Sequence, residues 1–150
     1  MNIRETNCET LEHIQNVRNL LNRIVIGLLH RGNDHDQSKM HPPEVAYFAE
    51  QTEKLHGLTF GSPEYDAAKL ALKPALDHHY AVNRHHPQHF KDGINDMNIL
   101  DLVEMFCDWK AATMRHDNGN LRFSIAKNAI DYRITDQLKR IFENSIELVE

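Results

Sequence analysis

Apolar residues recur along most of this chain with the period of an α-helix. The first long segment runs from Thr10 to about Arg31, and its apolar positions are Ile14, Val17, Leu21, Ile24, Val25 and Leu28. Thr10 can act as the N-cap of this helix, and Gly32 is placed to end it. His13 lies four residues before Val17, so the pattern predicts that His13 is on the core-facing side of the helix.

Prolines and glycines divide the rest of the chain into shorter segments. Pro42 and Pro43 stop a short turn, and Pro43 can open the next helix. Ser62 precedes a proline and an acidic residue, which is typical of a helix start, and Pro74 should kink or divide the helix that follows. The predicted segments are a turn at 35–40, helices at 43–55, 63–82, 97–116, 121–132 and 135–149, and loops at 57–61 and 84–96.

No segment alternates between apolar and polar residues for long enough to form a strand. With 150 residues, 41% hydrophobic and 26% charged, the chain is predicted to be all-α, a single compact domain over residues 1–150 with about six to seven helices. A net charge of −5 argues against a large nucleic-acid interface. The sequence lacks a membrane-spanning apolar run, a signal peptide and a disulfide framework, which favours a cytoplasmic location.

Histidine is the unusual part of the composition, with 11 residues in 150. Five of them lie between residues 78 and 90, in HHYAVNRHHPQHF. His79 and His86 are seven residues apart, which is two helical turns if the helix continues, and could then face the same point. The alternative is a solvated cluster in which one or two histidines are ligands and the others are bystanders.

Three carboxylates, those of Asp101, Glu104 and Asp108, fall on one strip of the helix predicted at 97–116. Three carboxylates would repel one another there unless cations or hydrogen-bond donors compensate. A solvated acidic face is the simpler interpretation, but the helix is otherwise strongly apolar. The apolar stripe beside the acidic strip is predicted to be Leu100, Val103, Cys107, Ala111 and Met114, with Cys107 in the core. Met105, Phe106 and Trp109 cover much of the rest of the helix, and Phe106 and Trp109 are also interpreted as core residues.

His35 and Asp36 are adjacent in DHDQSK. Adjacent histidine and aspartate residues can bind one metal only if the backbone turns sharply there, and borderline cations accept both nitrogen and oxygen donors. The pair alone is a weak signal. It gains weight when a histidine on an earlier helix, His13, and an aspartate on a later one, Asp108, are also predicted to face the core.

These residues together resemble the HD-domain metal-dependent phosphohydrolase superfamily. LEHIQNVRNLL is similar to the opening helix of that superfamily, with His13 at the ligand position. HDQSK, residues 35–39, resembles its His-Asp doublet, and MFCDWKAAT, residues 105–113, resembles the late helix that supplies a final aspartate, here Asp108. HHYAVNRHHP is similar to the extra histidine segment of the two-metal branches. From Thr10 to Leu148 the chain also resembles an uncharacterised family of small phage and bacterial proteins.

The resemblance implies that one divalent ion is bound by His13, His35, Asp36 and Asp108, and that His79 and His86 could complete a second site. The chain lacks the glutamate and the Gly-Tyr-Pro ending of the cyclic-dinucleotide phosphodiesterases, and the added helices of the large dNTP hydrolases. Histidine-rich ligation favours Mn, Co, Fe, Ni or Zn over Mg. The expected activity is hydrolysis of a nucleotide or a similar small phosphate ester.

Roles for further residues follow from this expected activity. Glu104 or Asp101 would orient or deprotonate the attacking water, and Lys39 would neutralise the phosphate. Arg18, Asn83 and Arg84 are the predicted substrate-binding residues. Two alternatives stay open: a di-iron oxygenase of the HD fold, and a catalytically silent phage protein that sequesters a nucleotide in the host cytoplasm. Under any of these functions, the protein could be a homodimer.

Overall fold

The computed structural model describes residues 2–56, 63–115 and 119–150, and the regular structure in these ranges is entirely helical. This confirms the all-α prediction. None of the helices described there is both long enough and apolar enough to span a bilayer. The α-helices are α1 (Ile3–Asp34), α2 (Glu44–His56), α3 (Pro63–Ala71), α4 (Lys73–Val82), α5 (Ile99–Thr113), α6 (Leu121–Asp131) and α7 (Asp136–Asn144), and short 3₁₀ helices span Gln37–Met40, Pro87–His89, Gly93–Asp96 and Ile146–Leu148.

The chain divides into two compact units, Met1–Asp34 and His35–Glu150, and the single domain over 1–150 stays a prediction. The first unit consists of α1, which begins before Thr10 because Asn2 and Glu5 each accept a hydrogen bond from the other's backbone N–H, both at 3.0 Å. No residue of α1 is buried, and His13 is exposed. A lone helix has no second element within its own unit against which to bury its apolar side, so the core-facing position expected for His13 is not observed.

The core of the second unit lies between α5, α6 and α7. On α5 the buried side is formed by Met105, Phe106 and Trp109, whereas Cys107 and Met114 are exposed. The predicted apolar stripe is therefore wrong. The interpretation of Phe106 and Trp109 as core residues is confirmed. Their rings pack against Phe142 of α7, at 5.6 Å and 5.4 Å between ring centroids. The buried core residues are Met105, Phe106, Trp109, Leu121, Ile125, Ala129, Ile134, Phe142 and Ile146.

The segment from α3 to α5 contains five of the 11 histidines. The predicted division near Pro74 is confirmed, because α3 and α4 are separate helices and Pro74 lies in the first turn of α4. α4 then ends at Val82, so His79 and His86 are not related by two continuous helical turns. The chain turns at 84–86 instead, and His86 is extended (φ −98°, ψ 128°), as expected for a residue before proline.

Some helix boundaries differ from the predicted ones. α7 ends at Asn144, and the predicted continuation toward Val149 contains the 3₁₀ helix Ile146–Leu148. α5 begins at Ile99 because the side chain of Asn98 accepts hydrogen bonds from two backbone N–H groups of its first turn. The predicted loop at 57–61, the Ser62 cap and the predicted helix end at His116 lie outside the described residues.

Candidate metal centre

The His35-Asp36 doublet lies in a sharp turn before the 3₁₀ helix Gln37–Met40. Asp36 has a left-handed backbone conformation (φ 58°, ψ 10°), which aspartate and asparagine tolerate better than most residues. The Lys39 ammonium donates a hydrogen bond of 2.6 Å to Asp36 Oδ2. Burial opposes ionisation of Asp36, but the adjacent His79 ring and the Lys39 ammonium outweigh it and lower the pKa of this carboxyl group. Asp36 is therefore ionised at neutral pH, the form that can bind a cation.

Four potential ligand atoms converge near Asp36. Asp36 Oδ1 lies 3.2 Å from His79 Nε2 and 3.5 Å from His85 Nε2, and His79 Nε2 lies 2.9 Å from His86 Nε2. One ligand atom from each of these four residues lies within 4.8 Å of the others. Two atoms that are each about 2.1 Å from one ion are about 3.0 Å apart at octahedral angles and about 3.4 Å apart at tetrahedral angles. The observed separations fit the edges of such a coordination shell.

A second group of potential ligands shares His85 with the first. It consists of His35, His85 and Asp108, again with one ligand atom from each within 4.8 Å of the others. His35 Nε2 lies 3.7 Å from Asp108 Oδ1 and 3.7 Å from Asp36 Oδ2. Asp36 thus presents Oδ1 to one group and Oδ2 to the other. Together the two groups form a candidate metal centre: His35, Asp36, His79, His85, His86 and Asp108.

Two buried polar atoms of the metal centre form no hydrogen bond. They are Asp36 Oδ1 and His85 Nε2, which face each other at 3.5 Å. The geometry between Asp36 Oδ1 and His79 Nε2 is also not that of a hydrogen bond, although these atoms are 3.2 Å apart. Buried polar atoms without a partner are rare and need an explanation. A cation bound between the carboxylate oxygen and the ring nitrogens would satisfy both atoms.

Glu104 orients two of the histidines. Its Oε1 lies 3.0 Å from His35 Nδ1 and 3.1 Å from His85 Nδ1. If both rings donate from Nδ1, both Nε2 atoms face the other ligands, as in many carboxylate–histidine–metal arrangements. The nearby carboxylates of Asp108 and Glu104 raise the pKa of His35 to about 10, so metal binding at Nε2 has to displace a proton. These contacts give Glu104 a positioning role, and the catalytic role stays a prediction.

The pKa of His86 is lowered, whereas that of His35 is raised. Burial and the neighbouring rings of His85 and His79 lower the pKa of His86 to about 3. At neutral pH the His86 imidazole is therefore uncharged, which is the form that binds metals. Nε2 of His86 lies 2.9 Å from Nε2 of His79. The two ring nitrogens therefore lie side by side without a positive charge on His86.

Arg84 and Asp101, predicted to act on substrate and water, form an ion pair with each other. Arg84 Nε and Nη2 donate to the two carboxylate oxygens of Asp101, at 3.1 Å and 2.9 Å. Asp101 is fully buried, and its Oδ2 also accepts a hydrogen bond from the backbone N–H of Asn98, which completes the capping box of α5. These contacts connect the turn at 84–86 to the start of α5. The functions in substrate binding and catalysis stay predictions.

We expect Asp101→Asn to destabilise the protein. The change removes the charge that pairs with Arg84 and weakens the capping box, so the free energy of unfolding should fall by about 2 to 3 kcal/mol. Denaturant unfolding of the metal-free protein measures it. Asp131→Asn is the control, because Asp131 pairs with Lys127 at an exposed position and should change stability by less than about 0.5 kcal/mol. Equal effects of the two variants would contradict the structural role of Asp101.

The other predicted site residues lie in two different places. Lys39 lies beside Asp36, and both hydrogens of the Asn83 side-chain amide are donated within the protein, to Ser38 Oγ and to the His79 carbonyl oxygen. His13 and Arg18 belong to α1, in the first unit, and their roles in metal and substrate binding stay predictions.

Two residues of the site escaped the sequence analysis. His85 was missed because its offset of six from His79 does not fit a helical period, although the doublet before Pro87 is visible in the sequence. Glu44 was missed because it resembles an ordinary acidic residue in the first turn of a helix. It is fully buried, and burial opposes its ionisation, but hydrogen bonds from His78, Ser38 and His79 lower its pKa.

A match to a protein family covers almost the entire chain but names no activity. No curated protein and no solved structure matches it. Residues 2–148 match the model of a protein family that is described only as a family of unknown function, DUF5662. The match includes all six residues of the metal centre and runs from the start of α1 to the 3₁₀ helix near the C-terminus. The chain therefore belongs to the family of unknown function DUF5662.

Proposed function

We propose that this protein is a divalent-metal-dependent phosphohydrolase that acts on a nucleotide or a similar small phosphate ester. The observation that carries the proposal is the pair of buried ligand atoms without hydrogen bonds, Asp36 Oδ1 and His85 Nε2, at the centre of a cluster of histidines and aspartates. The resemblance of residues 35–39 and 105–113 to the HD-domain superfamily supports hydrolysis as the reaction.

The donor set supports a borderline divalent ion. Four histidines and two aspartates supply nitrogen and oxygen ligands, which suits Mn, Fe, Co, Ni or Zn better than Mg. Asp36 presents one oxygen to His79 and His85 and the other to His35. Six ligands in two groups that share His85, with Asp36 facing both groups, leave room for two ions, whereas six protein ligands on one ion would leave no position for water.

The chemistry follows from the residues around this site. A divalent ion held there lowers the pKa of a bound water and polarises a phosphoryl oxygen. Lys39, whose side chain is about one-third exposed and whose ammonium lies 2.6 Å from Asp36 Oδ2, supplies a positive charge that can neutralise a phosphate oxygen. Glu104 and Glu44 hold the histidine rings in place, so the ligand atoms are positioned before the substrate binds.

The test is phosphate release from a panel of nucleoside mono-, di-, tri- and cyclic phosphates. Each substrate is assayed with Mn, Co, Fe, Ni, Zn and Mg, with chromatographic detection for the cyclic phosphates. We expect turnover of a few substrates with at least one of the transition metals, and loss of that turnover in Asp36→Ala. If the wild type binds metal but releases no phosphate from any substrate, the hydrolase proposal is wrong.

A second candidate is a di-iron oxygenase. It is favoured by the number of histidines and by the two oxygens of Asp36, which face different groups of ligands and could bridge two irons. Anaerobic loading with Fe²⁺ followed by exposure to air tests it. Oxygen uptake and a change in visible absorption would support this activity, and neither would be expected of a hydrolase. Tight nucleotide binding without turnover across all metals would indicate a sequestering protein instead.

A further inference from the structure

We propose that Glu44 is a positioning residue that selects the protonation form of His79 in which Nε2 is free to bind metal. Glu44 is the first residue of α2 and is fully buried. Its Oε2 lies 3.0 Å from His79 Nδ1, and its Oε1 lies 2.7 Å from Nδ1 of the half-exposed His78. The inference rests on the proposed metal centre but goes beyond the six ligands, because Glu44 belongs to neither ligand group.

The hydrogens around His79 can be counted. The Asn83 side-chain nitrogen has two hydrogens, which are donated to Ser38 Oγ at 2.8 Å and to the His79 carbonyl oxygen at 2.9 Å. Exchanging the oxygen and nitrogen of this amide would place its oxygen against the His79 carbonyl oxygen, so the orientation of the amide is fixed. Asn83 therefore has no hydrogen left for His79 Nδ1, although its nitrogen is 2.9 Å away.

Ser38 Oγ also lies 3.2 Å from His79 Nδ1. Its single hydroxyl hydrogen is donated to the nearer Glu44 Oε2, at 3.0 Å, and its oxygen accepts from Asn83. An ionised carboxylate is only an acceptor. The contact between Glu44 Oε2 and His79 Nδ1 therefore requires that Nδ1 carries the hydrogen and donates it.

The consequence appears at the other nitrogen of the ring. With the hydrogen on Nδ1, the neutral His79 ring has a lone pair on Nε2, and Nε2 faces Asp36 Oδ1 at 3.2 Å and His86 Nε2 at 2.9 Å. Glu44 thus positions the ring of His79 through Nδ1, as Glu104 positions the rings of His35 and His85. Two carboxylates from different helices, the buried Glu44 of α2 and the part-buried Glu104 of α5, orient three of the four histidines of the metal centre.

The first test reads the protonation form of His79 directly. Nitrogen–proton NMR spectra of the metal-free wild type distinguish a hydrogen on Nδ1 from one on Nε2, and a His79→Gln variant identifies the signals. We expect the hydrogen on Nδ1. A hydrogen on Nε2, or an even mixture of the two forms, would overturn the proposal. This measurement needs neither bound metal nor activity, so it decides the role of Glu44 even if the proposed function fails.

The second test measures Co²⁺ binding and the visible spectrum of bound Co²⁺. A glutamine at position 44 can turn its amide nitrogen toward His79 Nδ1, which favours the wrong form of the ring, so we expect Glu44→Gln to weaken Co²⁺ binding about 10- to 100-fold and to change the spectrum. Glu64→Gln, at an exposed position on α3, should change neither. Unchanged affinity and spectrum in Glu44→Gln would refute the proposal. If that variant does not fold, the NMR measurement on the wild type decides.

Discussion

Replacing Asp36 by asparagine should weaken the binding of divalent metal by at least about 100-fold. A set of about four ligands contributes roughly 10 to 16 kcal/mol to binding of a zinc ion, so loss of one ligand should cost about 3 kcal/mol, or a factor of about 100. Asp36 presents an oxygen to each ligand group, so the loss should affect both. Asparagine has nearly the same size and tolerates the left-handed backbone of Asp36 (φ 58°), whereas alanine would add strain.

The metal content of purified protein and a titration with Zn²⁺ or Co²⁺ measure this effect. Asp77→Asn is the matched control, because Asp77 lies on α4 close to the histidines but pairs with Lys73 at an exposed position. It should bind metal as the wild type does. Metal binding by Asp36→Asn with wild-type affinity would remove Asp36 from the metal centre, and the proposed function with it.

Replacing His85 by asparagine should weaken metal binding about as much as Asp36→Asn does, because His85 belongs to both ligand groups. The side-chain amide of asparagine can still donate a hydrogen bond to Glu104 in place of Nδ1, but it has no counterpart of the buried Nε2. We expect metal affinity to fall by at least about 100-fold and the number of bound ions to fall to one or none. Isothermal titration and metal analysis give the affinity and the number.

His89→Asn serves as the control for this variant. His89 lies in the same histidine-rich segment, but its Nδ1 contacts the carbonyl oxygen of Tyr80 at 3.1 Å, and it belongs to neither ligand group. We expect it to leave the number of bound ions unchanged. Equal metal loss in both variants would mean that the segment acts through its fold and not through His85 as a ligand.

Much of the fold could be predicted from the sequence because helical periods and breakers are local signals. The division of the helix near Pro74 depends on the backbone of one residue and its neighbours, and it was predicted. The buried side of α5 was predicted only in part, because two apolar faces compete on that helix. The choice between them depends on the ring of Phe142 on α7, which is far away in the sequence.

The metal centre shows the same division between local and distant information. The doublet of His35 and Asp36 and the aspartate at 108 are visible as residue types at suggestive positions. The other residues of the site depend on the three-dimensional fold. His85 reaches the metal centre only because α4 ends at Val82 and the chain turns after it. Glu44 can position His79 only because it is buried against Ser38, His78 and His79. No sequence pattern predicts that burial.

The ligands of the metal centre come from three separate segments, at 35–36, 79–86 and 108. An unfolded chain does not hold such segments together, so ions that bind here bind the folded form almost alone. By mass action, each tenfold rise in free metal above the dissociation constant would then add about 1.4 kcal/mol to the stability of the fold. The amount of folded protein in a cell would therefore depend on its supply of transition metal, independently of any substrate.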